Sequence, residues 1–297
     1  MFSYDVLKDE KLALAKRKQR SVSKAVEFCG RGVFTGIDTV IRIKPCEEDA
    51  GITFVRTDLP TQERIAATLD NVKSTPRCTI LGNVATSIQT VEHLLSVLGA
   101  LQIDNVVVEV NGPELPIMDG SAKPFFDKIA GCRCEQSKDI PIFMLDKPIS
   151  FSCDQTFLLA LPSHELRFSY LLSYPNHPVL NSQFYSLVLN EETYETEIAP
   201  SRTFSLYEEV AYLVDKGLLK GASLDHGVVF QADKVLNPEG LRFKNEPVRH
   251  KILDLIGDLK LIGFSIQAHF ISVRSGHFAN VAFARQLKEH LIGNGLS

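Results

Sequence analysis

His250, Asp254 and Asp258 recur every four residues in the stretch VRHKILDLIGD, residues 248–258. On an α-helix each such step turns the side chain by only about 40°, so the three stack along one flank. Val248, Ile252, Leu255, Ile256 and Leu259 fall on the core-facing stripe of the same helix. Taken alone, the row has three readings: a solvated face, a stabilising ion pair, or half of a metal site. His250 and Asp254 at i, i+4 can chelate one cation from one helix face. A second stretch, VEHLLSVLGAL (91–101), resembles VRHKILDLIGDL (248–259) and also opens Val-x-His. If the two are copies, His93 supplies a third ligand from an opposing helix. Two imidazoles and a carboxylate leave a fourth tetrahedral position for water, the arrangement of a hydrolytic zinc site. Imidazole donors argue against calcium or magnesium.

Glu92 precedes His93 and diverges from it by about 100° around a helix. It could flank a metal without binding it, where a base for water activation belongs, or be a first-turn acid favoured by the helix dipole. His277 closes the segment RSGH between a strand and the last helix. Loop histidines are usually just exposed, but loops on rigid scaffolds also carry catalytic groups. In a duplicated fold this loop returns near the 246–262 helix, where Asp258 could accept a hydrogen bond from the ring. That bond would fix the tautomer and raise the histidine pKa, as a general acid requires. Lys251 could meet a phosphate or a developing oxyanion, or simply snorkel to the surface. In APSRTFSLYEEV (199–210), Thr203 could donate its hydroxyl to an oxyanion. Phe204, Leu206, Tyr207, Val210 and Leu213 form either a core stripe or an acyl-binding groove.

These residues need a scaffold, and 297 residues suffice for one large or two ordinary domains. The chain is 44% hydrophobic and 23% charged, without low-complexity tracts. A net charge of −4 gives no general drive toward nucleic acid or anionic membrane. No apolar run approaches the roughly 18–20 residues of a membrane span, and the N-terminus lacks a signal-peptide core. A cytoplasmic protein is expected, with peripheral membrane contact left open. The six cysteines (Cys29, Cys46, Cys78, Cys132, Cys134, Cys153) read as reduced, mostly buried thiols.

Residues 8–20, KDEKLALAKRKQR, read as a basic, helix-favouring arm. From Ser21 to Asp70 the alternation in TVIRIKP and GITFVRT reads as β. A helix at 89–102, a strand at 104–110, a Gly/Pro loop at 111–122 and a short helix ended by Gly131 follow. The second half repeats the order: β-like segments at 140–189, a helical insertion near 205–217, a helix at 246–262, a strand at 264–273 and a final helix. An internal duplication is the better reading, giving two similar α+β domains joined near residues 132–140. The corresponding histidines would then face each other across the interface between the halves, where sites tend to lie.

Four stretches, TVEHLLSVLGALQIDNVVVEVNGPELPIMDGSAKPF, EIAPSRTF, LNPEGLRFKNEPVRHKILDLIGDL and SGHFAN, stand in this order along the chain. Together they resemble the UDP-3-O-acyl-N-acetylglucosamine deacetylases, the zinc amidases of lipid A biosynthesis in Gram-negative bacteria. The resemblance runs from about Ser21 onward. It implies an α+β fold of two topologically similar domains, each with helices sandwiched between β-sheets. Domain I would span 21–135 and domain II 138–297, with an insert at about 205–234 and the basic arm at 1–20. It implies one catalytic zinc ion, or iron(II) where cellular supply favours it, held by His93, His250 and Asp254. Glu92 would be the base for the water. His277, paired with Asp258, would protonate the leaving amine. Thr203 would stabilise the tetrahedral oxyanion, Lys251 and Phe204 would contact substrate, and Val210, Leu213, Leu219 and Ser223 would line an acyl passage. The implied reaction is hydrolysis of the 2-acetamido group of an acylated UDP-amino-sugar, by a monomer with no nucleic-acid partner. Rivals are a zinc amidase for another acylated amino-sugar and a non-catalytic binding relative. The chain departs from the family in GRGVFTG (30–36), where Phe34 stands in place of a usual histidine, and in its longer basic arm.

Overall fold

The strand Ser265–Val273 alternates half-buried and buried residues along its length, the period-two pattern of a strand with one face on a core. In the computed structural model, which describes residues 13–293, it is the hub of a seven-stranded sheet. It runs parallel to Arg133–Met144 and Arg167–Leu172 and antiparallel to Thr156–Pro162. A five-stranded sheet is built from the first half, in the order Val26–Arg31, Asp38–Pro45, Val106–Val110, Ile52–Arg56, Arg64–Ala66. Two three-stranded sheets complete the β structure. One comprises Val72–Ser74, Ile80–Gly82 and Ser87–Gln89, and the other lies within residues 204–235.

Six α-helices occur among the described residues: α1 Glu92–Ala100, α2 Lys123–Ile129, α3 Glu191–Thr193, α4 Tyr207–Asp215, α5 Glu246–Lys260 and α6 His277–Gly293. Strands gathered in sheets and helices set apart from them make this the expected α+β class. Two helices decide the centre. Every residue of α1 from Glu92 to Leu98 is buried, as are twelve of the fifteen in α5. They pack on each other, and α5 also packs on α6 and on Arg167–Leu172. The flank of α5 that one helix alone left open as a solvated face is therefore interior.

The crossing is close because Gly257 permits it. A Cβ at that position would lie 2.1 Å from the Glu92 carbonyl oxygen. Gly257→Ala is expected to destabilise the fold by about 1–3 kcal/mol through overpacking, read as a lowered urea midpoint. An unchanged midpoint would mean that the two helices have room to spare.

The basic arm differs from expectation. Ala13–Val22 is a strand, not a helix, paired antiparallel with Arg133–Met144; the remainder of the arm, residues 1–12, lies outside the described residues. The misreading has a physical cause: the positions that point inward, Arg17, Gln19 and Ser21, are polar. Arg17 grips Asp104 with two bonds of 2.7 and 2.8 Å and also reaches Ser265. Gln19 bonds Asp49 and Asn105, and Lys260, at the end of α5, lies 3.8 Å from Asp104. Around the junction read near 132–140, Ala130–Cys132 is a 3-10 turn and Arg133–Met144 a strand. All six cysteines are free thiols, but only Cys78 and Cys132 are buried. Cys29 is exposed because it falls on the solvent side of Val26–Arg31.

Candidate active site

α1 carries Glu92 and His93 into the interior, and α5 brings His250, Lys251, Asp254 and Asp258 against them. The rings of His93 and His250 meet edge to face, with centroids 4.9 Å apart. Asp254 Oδ1 lies 3.3 Å from His250 Nε2 and 3.9 Å from His93 Nε2, and one donor atom from each residue falls within 4.8 Å of the others. A tetrahedral ion with bonds near 2.05 Å has donor–donor edges of about 3.3 Å. The His250–Asp254 edge already matches, and the His93–Asp254 edge is wider by roughly half an ångström.

The protonation pattern suits ligation. His250 Nδ1 donates to the Ser201 carbonyl at 3.0 Å, so Nε2, which faces the carboxylate, is the nitrogen that would bind an ion. Burial, reinforced by His250, pushes His93 down to about 3, leaving it neutral. Burial opposes ionisation of Asp254, but Lys251 and His250 beside it hold its pKa well below the usual carboxylate value. Two imidazole nitrogens and an anionic oxygen converging away from solvent fit a divalent cation of the zinc type.

Beside this triad stands a carboxylate–imidazole pair. Glu92 Oε1 lies 3.8 Å from His277 Nε2, while Oε2 accepts the Thr79 backbone N–H at 3.0 Å. Burial lifts Glu92 to about 7, with the His277 charge pulling the other way and Asp254 and Asp258 adding to the rise. His277 is the first residue of α6 rather than part of the loop before it. Its Nδ1 donates to Asp258 Oδ2 at 2.8 Å. Burial would depress this histidine, yet Asp258 and Glu92 together raise it to about 9. Asp258 is fully buried and also accepts from Asn280 Nδ2 at 2.8 Å and Thr79 Oγ1 at 2.6 Å.

Lys251 Nζ donates to Asp254 Oδ2 at 2.8 Å and sits 5.8 Å from the Phe204 ring centre. It is thus tied to a candidate ligand, with its remaining N–H groups left for other contacts. Thr203 is anchored through its backbone, donating to Gly120 and accepting from Val228. Upstream, Arg202 is buried with Glu246: its N–H and Nε reach Glu246 Oε1 at 3.0 and 2.8 Å. That pair pins the segment supplying both Thr203 and the Ser201 carbonyl.

Glu92, His93, Thr203, Phe204, His250, Lys251, Asp254 and His277 line one cavity of about 740 Å³, and Asp258 stands behind His277. Val210, Leu213, Leu219 and Ser223 line it too, together with Phe34 and Tyr174. Sequence reasoning missed Thr79, Asn280 and Ser201. Asn280, one helical turn after His277, carried a spacing signal; a backbone carbonyl such as that of Ser201 carries none.

A family profile described as UDP-3-O-acyl N-acetylglycosamine deacetylase matches residues 19–289. Among curated relatives, the UDP-3-O-acyl-N-acetylglucosamine deacetylase of Chlamydia felis (strain Fe/C-56) is 43% identical over 280 residues, covering 94% of this chain and 99% of that relative. The protein of the same name from Chlamydia caviae is 44% identical over the same shares. That from Syntrophus aciditrophicus (strain SB) is 41% identical over 273 residues, covering 91% of this chain and 86% of the relative.

Proposed function

The chain belongs to the UDP-3-O-acyl N-acetylglycosamine deacetylase family, and on that premise we propose that it cleaves the 2-acetamido group of UDP-3-O-acyl-N-acetylglucosamine at a zinc site formed by His93, His250 and Asp254. The products are acetate and UDP-3-O-acyl-glucosamine, a step of lipid A biosynthesis. The observation that carries this reading is the convergence of that donor triad with a Glu92–His277 pair 3.8 Å apart at one cavity. When bound, the metal supplies a Lewis acid that polarises the amide carbonyl and acidifies water.

The chain's own residues do the rest. Glu92, its basicity held up by burial, takes a proton from the attacking water. Thr203 and Lys251 donate to the oxygen that gains charge. His277 Nε2 gives its proton to the departing nitrogen as the C–N bond breaks, while Asp258 keeps the ring charged from behind. Val210, Leu213 and Leu219 offer an apolar wall to the acyl chain. Six unpaired thiols support a reducing, cytoplasmic setting, and no helix among the described residues is long and apolar enough to cross a membrane.

Mass-spectrometric assay of acetate release from the zinc-loaded protein tests the reading. Each methylene buried from water contributes about 0.8 kcal/mol, so an acyl chain seated over four or more should favour the acylated substrate over UDP-N-acetylglucosamine by about 10²-fold. Equal turnover of both would point to a different amino-sugar, and no acetate from either would overturn the reading.

The pH profile tests the acid. His277 must carry its proton to act, so the rate is lost as pH rises through its pKa near 9. Glu92 must be ionised, so the rate is lost as pH falls through its own. Asp258→Asn removes the charge that raises His277 and is expected to move the alkaline limb down by about one to two units. An alkaline limb that stays in place would take the His277–Asp258 pair out of the reaction.

A further inference from the structure

Glu114 is a fully buried carboxylate outside the triad and the acid–base pair. It comes from the Gly/Pro loop 111–122, and none of its hydrogen-bond partners among the described residues is a cation. Instead it is saturated by one loop and one turn. Oε1 accepts from Phe34 N at 3.0 Å and Thr90 Oγ1 at 3.2 Å. Oε2 accepts from Thr35 N at 2.8 Å and Thr35 Oγ1 at 2.7 Å. Consecutive backbone N–H groups aimed at one carboxylate form an anion cradle, and Gly32 lets it close: a Cβ there would lie 2.3 Å from Glu114 Oε2.

The loop's other side is a docking strip. Gly221 N donates to Val33 O at 3.0 Å and Lys220 N to Phe34 O at 3.2 Å. Any side chain at Gly221 would strike the Gly32 carbonyl, since its Cβ would be 2.1 Å away. Both partners then continue into the cavity wall, Val33 and Phe34 on one side, Leu219 and Ser223 on the other. Two backbone bonds thus join the loop to residues 220–221 at the cavity wall, and Glu114 is the footing of the loop.

We propose that Glu114 is a positioning residue that sets the shape of the acyl passage, and with it the preference for acyl chain length, by holding the Gly32–Gly36 loop against residues 219–223. The proposal rests on the deacetylase reading for its substrate. Replacing the carboxylate by an amide leaves one acceptor oxygen for the Phe34 and Thr35 N–H groups and sets an NH2 donor against the other, which favours lifting the loop toward water. The passage then slackens where the chain's apolar contacts are made. Glu92 and the metal triad, fixed by the α1–α5 crossing, stay in place, so binding suffers and chemistry does not.

The test compares wild type, Glu114→Gln and Thr35→Val as full-length, zinc-loaded chains. Each is assayed on UDP-3-O-acyl-N-acetylglucosamine over a series of acyl lengths and followed by amide hydrogen exchange. For the longest chain that wild type accepts, Glu114→Gln is expected to raise KM about tenfold, and Thr35→Val about threefold. kcat should stay within about twofold, and the length preference should flatten. Exchange should quicken in 32–36 and 219–223 together and not in 246–260. Thr35→Val keeps the buried carboxylate and the side-chain volume, so it decides the matter if Glu114→Gln does not fold. An unchanged length preference, or exchange that stays slow in either segment, overturns the proposal. Wild type that releases no acetate at any length overturns the deacetylase reading instead, and the exchange comparison still decides whether Glu114 holds loop and insert together.

Discussion

His93→Ala is expected to leave the protein with far less than one equivalent of metal. Its affinity should fall by more than the 10–100-fold that loss of a mere outer partner costs, on the order of 10³-fold or beyond. His93 is the sole candidate ligand on α1, and the other two, on α5, cannot complete a site with one open position. Its Nδ1 is buried with no hydrogen-bond partner among the described residues, so the ring is held by packing, which includes the edge-to-face contact with His250. Metal content by mass spectrometry, with circular dichroism to show that the fold survives, gives the answer. Retention of a full equivalent would remove His93 from the ligand set.

Glu92→Gln should give the opposite split. The metal is retained, because Glu92 points past the triad toward His277, while kcat falls by about 10²–10⁴-fold, the worth of a positioned general base. The amide matches the carboxylate in shape and can still accept the Thr79 N–H, but it cannot take a proton from water. The acidic limb of the profile should disappear with it. A loss below tenfold would place the base elsewhere, and loss of the metal would make Glu92 a ligand.

Much of this site could be read before any coordinates. The i, i+4 spacing of His250 and Asp254 constrains them to one face on any helix, and the matching Val-x-His pointed to α1 as the opposing surface. The pairing of His277 with Asp258 followed from the expected return of the last loop. What escaped was held by groups without a pattern. Thr79 joins Glu92 through its backbone and Asp258 through its hydroxyl, and it sits in a short, weakly patterned stretch. Glu114 lies in a segment whose glycines and prolines read as a polar turn, although its carboxylate is wholly buried. Ala13–Val22 read as helical because lysine, arginine, glutamine and alanine are good helix formers. Its strand character comes from distant partners, Asp104 and Arg133–Met144, that local propensity cannot register.

That strand has a consequence in time. Arg17 lies opposite Ile140 and is bonded to Ser265, so this segment is synthesised well before both partners and must wait for them before its place exists. Closing so long a loop makes this pairing slow, and until then the strand has an open edge that another chain could join. Lys16, Arg17, Lys18 and Arg20 crowd that edge with like charge, a recognised guard against edge-to-edge association. The residues that disguise the strand as a helix thus also keep it solitary until its partner arrives.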